Sequence, residues 1–214
     1  MKKLLLSVKR GKFRRDDSQV VKADREFDAK RERAVIRDDY TCRFCGFKAL
    51  KHQEVHHADD DHANNSMENL DTVDVLCHAV NHVGFAGLGG NAVMVYLPGV
   101  QQVDLNHFMR TIFVALRTGD DEEQKCASGM LEQLTGLQDR FSSTWGTSSP
   151  VVIGNELRLM PEARYRRRDK ILAAAKLVFR RSFVKESVLD YWCASVYKGL
   201  DPGSWKLIYS GFFD

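Results

Sequence analysis

A Cys-x-x-Cys turn at Cys42 and Cys45, inside the stretch RDDYTCRFCGFKA, constrains this chain more than any other feature. Flanked by aromatics and followed by Gly46, such a turn aims two thiolates the same way, as a tetrahedral zinc site requires. A second half-site, Asp74-Val-Leu-Cys77, has the same i, i+3 spacing and can close the tetrahedron. The five cysteines are Cys42, Cys45, Cys77, Cys126 and Cys193. An odd number, with three converging on one motif, argues for a metal and against a disulfide framework, and a reducing cytosol is the natural setting.

Between the half-sites lie His56-His57 and Asn69, and His78 directly follows Cys77. This arrangement resembles the HNH, or ββα-metal, nuclease core: a Cys-x-x-Cys, a His-His or Asp-His pair, an Asn-Leu, then Cys-x-x-Cys-His. The resemblance implies His56 and His78 as ligands of a catalytic divalent ion such as Mg²⁺, Mn²⁺ or Ni²⁺. It implies His57 as the general base that activates water, and Asn69 as the residue that holds the loop and orients His57. Asp74 stands where that pattern has its third cysteine. The departure leaves zinc held by Cys42, Cys45 and Cys77 with either Asp74 or His82, since zinc takes S, N or O donors. His82, four residues after His78, shares its helix face and is equally placed to add a ligand to the catalytic ion or to contact phosphate.

A narrower likeness covers more of the chain. RDDYTCRFCGFKA, QEV, NNSMENL, VGFAGLGG and YLPGVQQVDLNHF together resemble the DotN/IcmJ family of type IVB secretion and related conjugation machinery, from about Arg37 to Leu116. That resemblance implies an HNH-like zinc fold used as a scaffold, an adaptor bound to the C-terminal tail of the coupling ATPase and to other secretion-complex subunits. It also implies a cytoplasmic protein brought to the inner face of the inner membrane by its partners. Pure scaffolds of this kind can lack the catalytic histidines, whereas this chain keeps His56, His57, Asn69 and His78. The family thus implies an adaptor, and the site a metal-dependent endonuclease acting on DNA.

Charge distribution bears on that choice. The net charge of +3 conceals a basic segment at 1–37, an acidic one at 38–157 and a second basic one at 158–185. A nuclease must draw a polyanion to its site, yet here Asp59, Asp60 and Asp61 adjoin His57. The pattern counts modestly against efficient cleavage. It leaves the basic helix near the C-terminus as a surface for an acidic partner or nucleic acid.

The 214 residues, 43% hydrophobic and 29% charged, suit an ordinary globular chain of one domain with an extension. We place an HNH-like zinc domain over 1–150 and a basic helical extension with an aromatic tail over 151–214, divided at the linker-like SSTWGTSSP. The expected class is α+β: short strands around the zinc core, surrounded by amphipathic helices. Leu4–Val8 reads as a short strand ended at Gly11, too short for a signal-peptide core, and no apolar run approaches the ~20 residues of a membrane span. Ala23–Asp38 reads as a helix, and the knuckle and QEV as a hairpin. Val93–Leu97 reads as a strand stopped by Pro98-Gly99. Leu105, Phe108, Met109, Ile112, Phe113 and Leu116 recur with helical period behind Asp104, a candidate N-cap. Asp120–Phe141 reads as a second helix with Met130, Leu131, Leu134 and Leu137 on its inner face. Glu162–Arg181 reads as a long helix begun by Pro161. Tyr191, Trp192, Tyr197, Trp205, Tyr209, Phe212 and Phe213 crowd the tail, for burial or for docking.

Overall fold

A computed structural model describes residues 1–10, 20–61, 63–199 and 202–204; His62, the Gly11 turn and the terminal aromatics from Trp205 onward lie outside the described residues. The architecture is α+β, with many helices and short antiparallel strands. It divides into two units built from interleaved segments. One comprises Met1–Leu88 and Pro150–Ala173, the other Gly89–Ser149 and the described residues from Ala174 onward. The chain thus passes between units at Ser149–Pro150, within the linker-like stretch, but the segment after it contributes to both.

In the first unit, α1 (Val20–Arg37) lies on a hairpin of β1 (Glu54–His57) and β2 (Leu70–Val73). Ala34 of α1 is buried with Val55 and Leu70, and Phe27, Val35 and Met67 pack around them. Two consecutive residues in the left-handed region, Asp39 (φ 50°) and Tyr40 (φ 55°), stop the helix and turn the chain into the knuckle. Asp38 fastens this corner: it accepts from the Thr72 N–H at 3.1 Å and pairs with Arg37 at 2.7 Å. Burial opposes its charge, but the Arg37 and Thr72 bonds hold its carboxyl below the usual range.

The hairpin partner of Glu54–His57 is β2, with Glu54 opposite Val73 and His57 opposite Leu70, and not the knuckle as the sequence suggested. The knuckle closes on itself instead. The Cys42 N–H donates to Phe47 O, the Gly46 N–H to Cys42 O, and Thr41 bridges Lys48. Gln53 then ties it down, its amide donating to Tyr40 O at 2.8 Å and Phe47 O at 2.9 Å.

After β2 comes α2 (Val75–Asn81), then the short α3 (Val83–Ala86). The N-terminal segment packs here without joining a sheet. Leu4, Leu6 and Val8 are buried with strand-like alternation, but the Ser7 N–H donates to Val80 O and Ser7 O accepts from the Val83 N–H. These helix-end groups take the place of a strand partner, so the expected strand is extended chain without a ladder. Later in the sequence, α7 (Pro150–Leu159) crosses α3 with Gly154 against Gly84, and Tyr165 of α8 (Glu162–Tyr165) exchanges hydrogen bonds with both backbone groups of Val8. The expected long helix over Glu162–Arg181 is therefore three pieces: α8, α9 (Arg168–Ile171), and a strand.

That strand belongs to the second unit. There β3 (Ala92–Tyr96) pairs antiparallel with β4 (Ala175–Phe179), Ala92 opposite Phe179 and Tyr96 opposite Ala175. All of β4 is buried, and a fully buried strand shows no period-2 signal to separate it from helix. The helix α4 (Gln102–Thr118) lays Leu105, Met109, Ile112 and Phe113 inward. It begins two residues before Asp104, which sits in its first turn rather than at the cap. The second expected helix divides at Leu137 into α5 (Asp121–Gly136), opened by an Asp120–Glu123 capping box, and α6 (Gln138–Trp145). Met130, expected inside, is exposed. The chain continues to α10 (Glu186–Tyr191) and buries Trp192, whose ring lies 5.7 Å from the Arg110 guanidinium. Among the described residues no helix is long and apolar enough to cross a membrane.

Candidate metal centres

The first unit holds two groups of potential metal ligands. The first is Cys42, Cys45, Asp74 and Cys77, all buried, with one donor atom from each lying within 4.8 Å of every other. The knuckle supplies Cys42 and Cys45. Its turn needs the positive φ of Gly46 (76°), a conformation open to glycine at no steric cost. The start of α2 supplies the other two. Asp74 is its N-cap: Oδ1 accepts from the Leu76 N–H at 3.0 Å and the Cys77 N–H at 3.4 Å, and Oδ2 accepts from Cys45 Sγ at 3.1 Å. One carboxylate thus caps a helix and closes the group. His82, the other fourth ligand considered from sequence, stands with the second group.

Three thiols and a carboxylate packed together out of water cannot all be anions. The neighbouring sulfurs of Cys45 and Cys77 favour the ionised form of Cys42 and, against the cost of burial, lower its pKa to about 5. Contact with the other sulfurs, burial and the Asp74 charge push Cys77 far up, and in Cys45 the contact with Cys42 outweighs an opposing one from Cys77, so its pKa rises too. A bound divalent cation would relieve this crowding and let all three sulfurs ionise. Three soft sulfurs with one oxygen suit zinc, whose ligand bonds run about 2.0–2.3 Å, far better than magnesium or calcium.

The second group is His56, His78 and His82, again within 4.8 Å of one another by one ring nitrogen each. Their ring centroids lie 5.5 Å (His56–His78), 5.4 Å (His56–His82) and 4.8 Å (His78–His82) apart. His56 projects from β1, His78 from α2, and His82 is the C-cap of α2. The elements run β1, β2, α2, a ββα succession that brings a strand residue against one helix face. His56 also lines a cavity of about 430 Å³ with Lys2, Lys3, Asp59, Asp60 and Arg168.

His57 is not a member of either group. It is buried, its Nε2 lies 2.8 Å from Asn65 Oδ1, and its ring stands 5.0 Å from Phe27. Asn69 bonds across the loop between β1 and β2. Its Nδ2 donates to Asp59 Oδ1 and Asn64 O, both at 2.8 Å, while Oδ1 accepts from the Asp59 N–H at 3.0 Å. Asn65, a bonded side-chain partner of His57, was passed over by sequence reasoning. So was Glu54, whose Oε2 is 2.5 Å from His78 Nδ1. Its signal was available: on a strand, Glu54 shares a face with His56.

Of the three carboxylates beside His57, Asp59 feels the cost of burial but is kept ionised by hydrogen bonds from Asn64, the Asp61 N–H and Asn69. Asp60 is the reverse case. Burial raises its pKa to about 6 in spite of Lys9 and Arg168.

No family model matches the chain. Among proteins of known role, it is 29% identical over 181 residues to the type 4 apparatus protein DotN of Legionella pneumophila subsp. pneumophila, strain Philadelphia 1, an alignment spanning 81% of this chain and 82% of DotN. The likeness to the DotN/IcmJ family drawn from the motifs is borne out by this relative.

Proposed function

We propose that the chain is a zinc-stabilised subunit of a type IV secretion apparatus, an adaptor that binds the C-terminal tail of the coupling ATPase and helps assemble other subunits of the complex on it. The observation that carries this reading is the likeness to DotN along four-fifths of both chains, far more than a zinc knuckle alone would account for. The buried thiolate–carboxylate group supports it as architecture: it joins the knuckle to α2, and the protein needs no chemistry from it. The adaptor works in the cytoplasm, reaching the inner membrane through its partners. Its test is calorimetric titration of the zinc-loaded full-length chain with the tail of the coupling ATPase from the same cell. Saturable one-to-one binding, unaffected by His57→Ala, is expected; the absence of binding would remove the proposal.

A second reading, a metal-dependent endonuclease, has one specific observation in its favour: His56, His78 and His82 converge on a ββα frame. A divalent ion there would supply positive charge to a phosphodiester leaving oxygen. His57 weakens the reading, because a general base must reach water and this ring is buried against Phe27 and bonded to Asn65. Plasmid cleavage with Mg²⁺, Mn²⁺ or Ni²⁺, abolished by His57→Ala, would establish it.

A further inference from the structure

Two basic stretches far apart in the sequence meet on one surface of the first unit. Residues 1–10 and 158–170 carry ten Lys and Arg against Glu162 and Asp169. The N-terminal segment lies along α8 and α9. Tyr165 Oη bonds both backbone groups of Val8, and Arg168 donates to Leu6 O and Ser7 Oγ. Arg10 pairs with Glu162 at 2.6 Å and Lys3 with Asp169 at 3.1 Å, so both acids are already engaged. With Tyr165 turned inward, Arg164, Arg166 and Arg167 are exposed, as are Arg158 and Lys170. Of these five, only Arg166 forms an ion pair with a described residue, sharing Glu162 with Arg10. Leu159 stands among them, 70% exposed, between Arg158 and Met160, whose carbonyl accepts from Arg10.

We propose that this face is a peripheral membrane-binding surface, in which the exposed cations bind the headgroups of anionic phospholipids and Leu159 enters the boundary between headgroups and acyl chains. A polybasic cluster gains from each lipid charge that it meets, and an apolar side chain beside it supplies the second, non-electrostatic signal of interfacial binding. Other polyanions fit less well. A single-stranded nucleic acid stacks its bases on aromatic rings. Tyr165, the aromatic residue of these two stretches, is buried with the Arg10 and Arg168 guanidinium groups 4.5 Å and 4.3 Å from its ring centre. A duplex gains nothing from a leucine set among the cations. An extended acidic peptide fixes its course through free backbone groups, but Ser7 and Val8 use both of theirs and Leu6 O is taken. The surface adds a direct contact with the bilayer to the reach through partners, and it stands or falls independently of binding to the ATPase tail.

The test is co-sedimentation of the zinc-loaded full-length chain with vesicles of phosphatidylethanolamine and phosphatidylglycerol, against vesicles of phosphatidylcholine alone. Elution from heparin serves as a polyanion without lipid. Binding to the anionic vesicles only, weakened by salt, is expected. Arg164→Ala/Arg167→Ala should lower that affinity about 10-fold or more and elute earlier from heparin. Leu159→Ser should lose about fivefold on the vesicles and keep its wild-type elution from heparin. All three side chains are exposed, so zinc content and melting temperature should stay unchanged, which separates these effects from misfolding. A wild type that does not sediment with the anionic vesicles would overturn the proposal. So would vesicle binding that either variant leaves unchanged, or tighter binding to duplex DNA or polyglutamate than to the vesicles, since the face would then read charge alone.

Discussion

Cys45 Sγ lies 3.1 Å from Oδ2 of Asp74, while Oδ1 of the same carboxylate caps α2 through the Leu76 and Cys77 N–H groups. Helix capping and membership of the candidate metal group are thus combined in one residue, and they can be separated by substitution. Asp74→Asn keeps an acceptor for the cap but loses the anionic ligand; Asp74→Ala loses both. We expect Asp74→Ala to be the less stable of the two by about 1 kcal/mol, the ordinary worth of an N-cap. Asp74→Asn should show a smaller loss of melting temperature on chelation than the wild type. Thermal melts with and without a chelator measure both.

At the crossing of α3 and α7, a Cβ on Gly154 would stand 2.6 Å from Gly84 Cα and 2.7 Å from Gly84 N. Backbone cannot yield there as a side-chain tip can. Gly154→Ala should destabilise the protein by about 1–3 kcal/mol, the usual cost of overpacking, although alanine is the better helix former. A denaturation midpoint raised by the substitution would contradict the close approach.

In the second unit, the Gln102 side chain stands in for a neighbouring strand. Its Nε2 donates to Leu177 O and its Oε1 accepts from the Leu177 N–H, each at 2.9 Å, with Asn106 Oδ1 as a further acceptor for Nε2. Gln102→Leu should leave both groups of a buried strand residue without these partners, at a cost of about 1–3 kcal/mol. Amide exchange at Leu177 is the sharper readout, and it should accelerate more than exchange at Val178.

Asp60 has its pKa raised to about 6 by burial. The folded chain therefore holds a proton that the unfolded chain releases nearer pH 4. Stability from this residue is present below the unfolded value and falls as pH rises through the folded one. Asp60→Asn should flatten the pH dependence between about 4 and 6 and stabilise the protein at pH 7 by on the order of 1 kcal/mol, screening by solvent reducing the full linkage value. Chemical denaturation at pH 4.5 and 7 tests the sign.

The parts of this protein that were legible in the sequence are those where chemistry or period is local. Cys42 and Cys45 announce a knuckle by spacing alone, and the stripe from Leu105 to Leu116 announces α4. What escaped is set by contacts distant in the chain. Ala175–Phe179 has no period of its own and becomes a strand because β3, some eighty residues earlier, lies beside it. Leu4, Leu6 and Val8 alternate like a strand but find helix ends in place of a ladder. That Asp74 gathers with the three thiols, and His82 with His56 and His78, depends on Asp74 capping a helix whose first N–H groups hold it in place.

The central claim is that the thiolate–carboxylate group holds one zinc ion on which the fold of its unit depends. Metal analysis of the purified chain alongside native mass spectrometry, on the wild type and on Cys42→Ser, tests it most directly. The expected result is one zinc per chain resistant to dialysis in the wild type, with Cys42→Ser losing the zinc and the dispersed amide spectrum of residues 37–88 together. A wild-type chain that is folded and free of zinc, or a Cys42→Ser chain that melts where the wild type does, would contradict it.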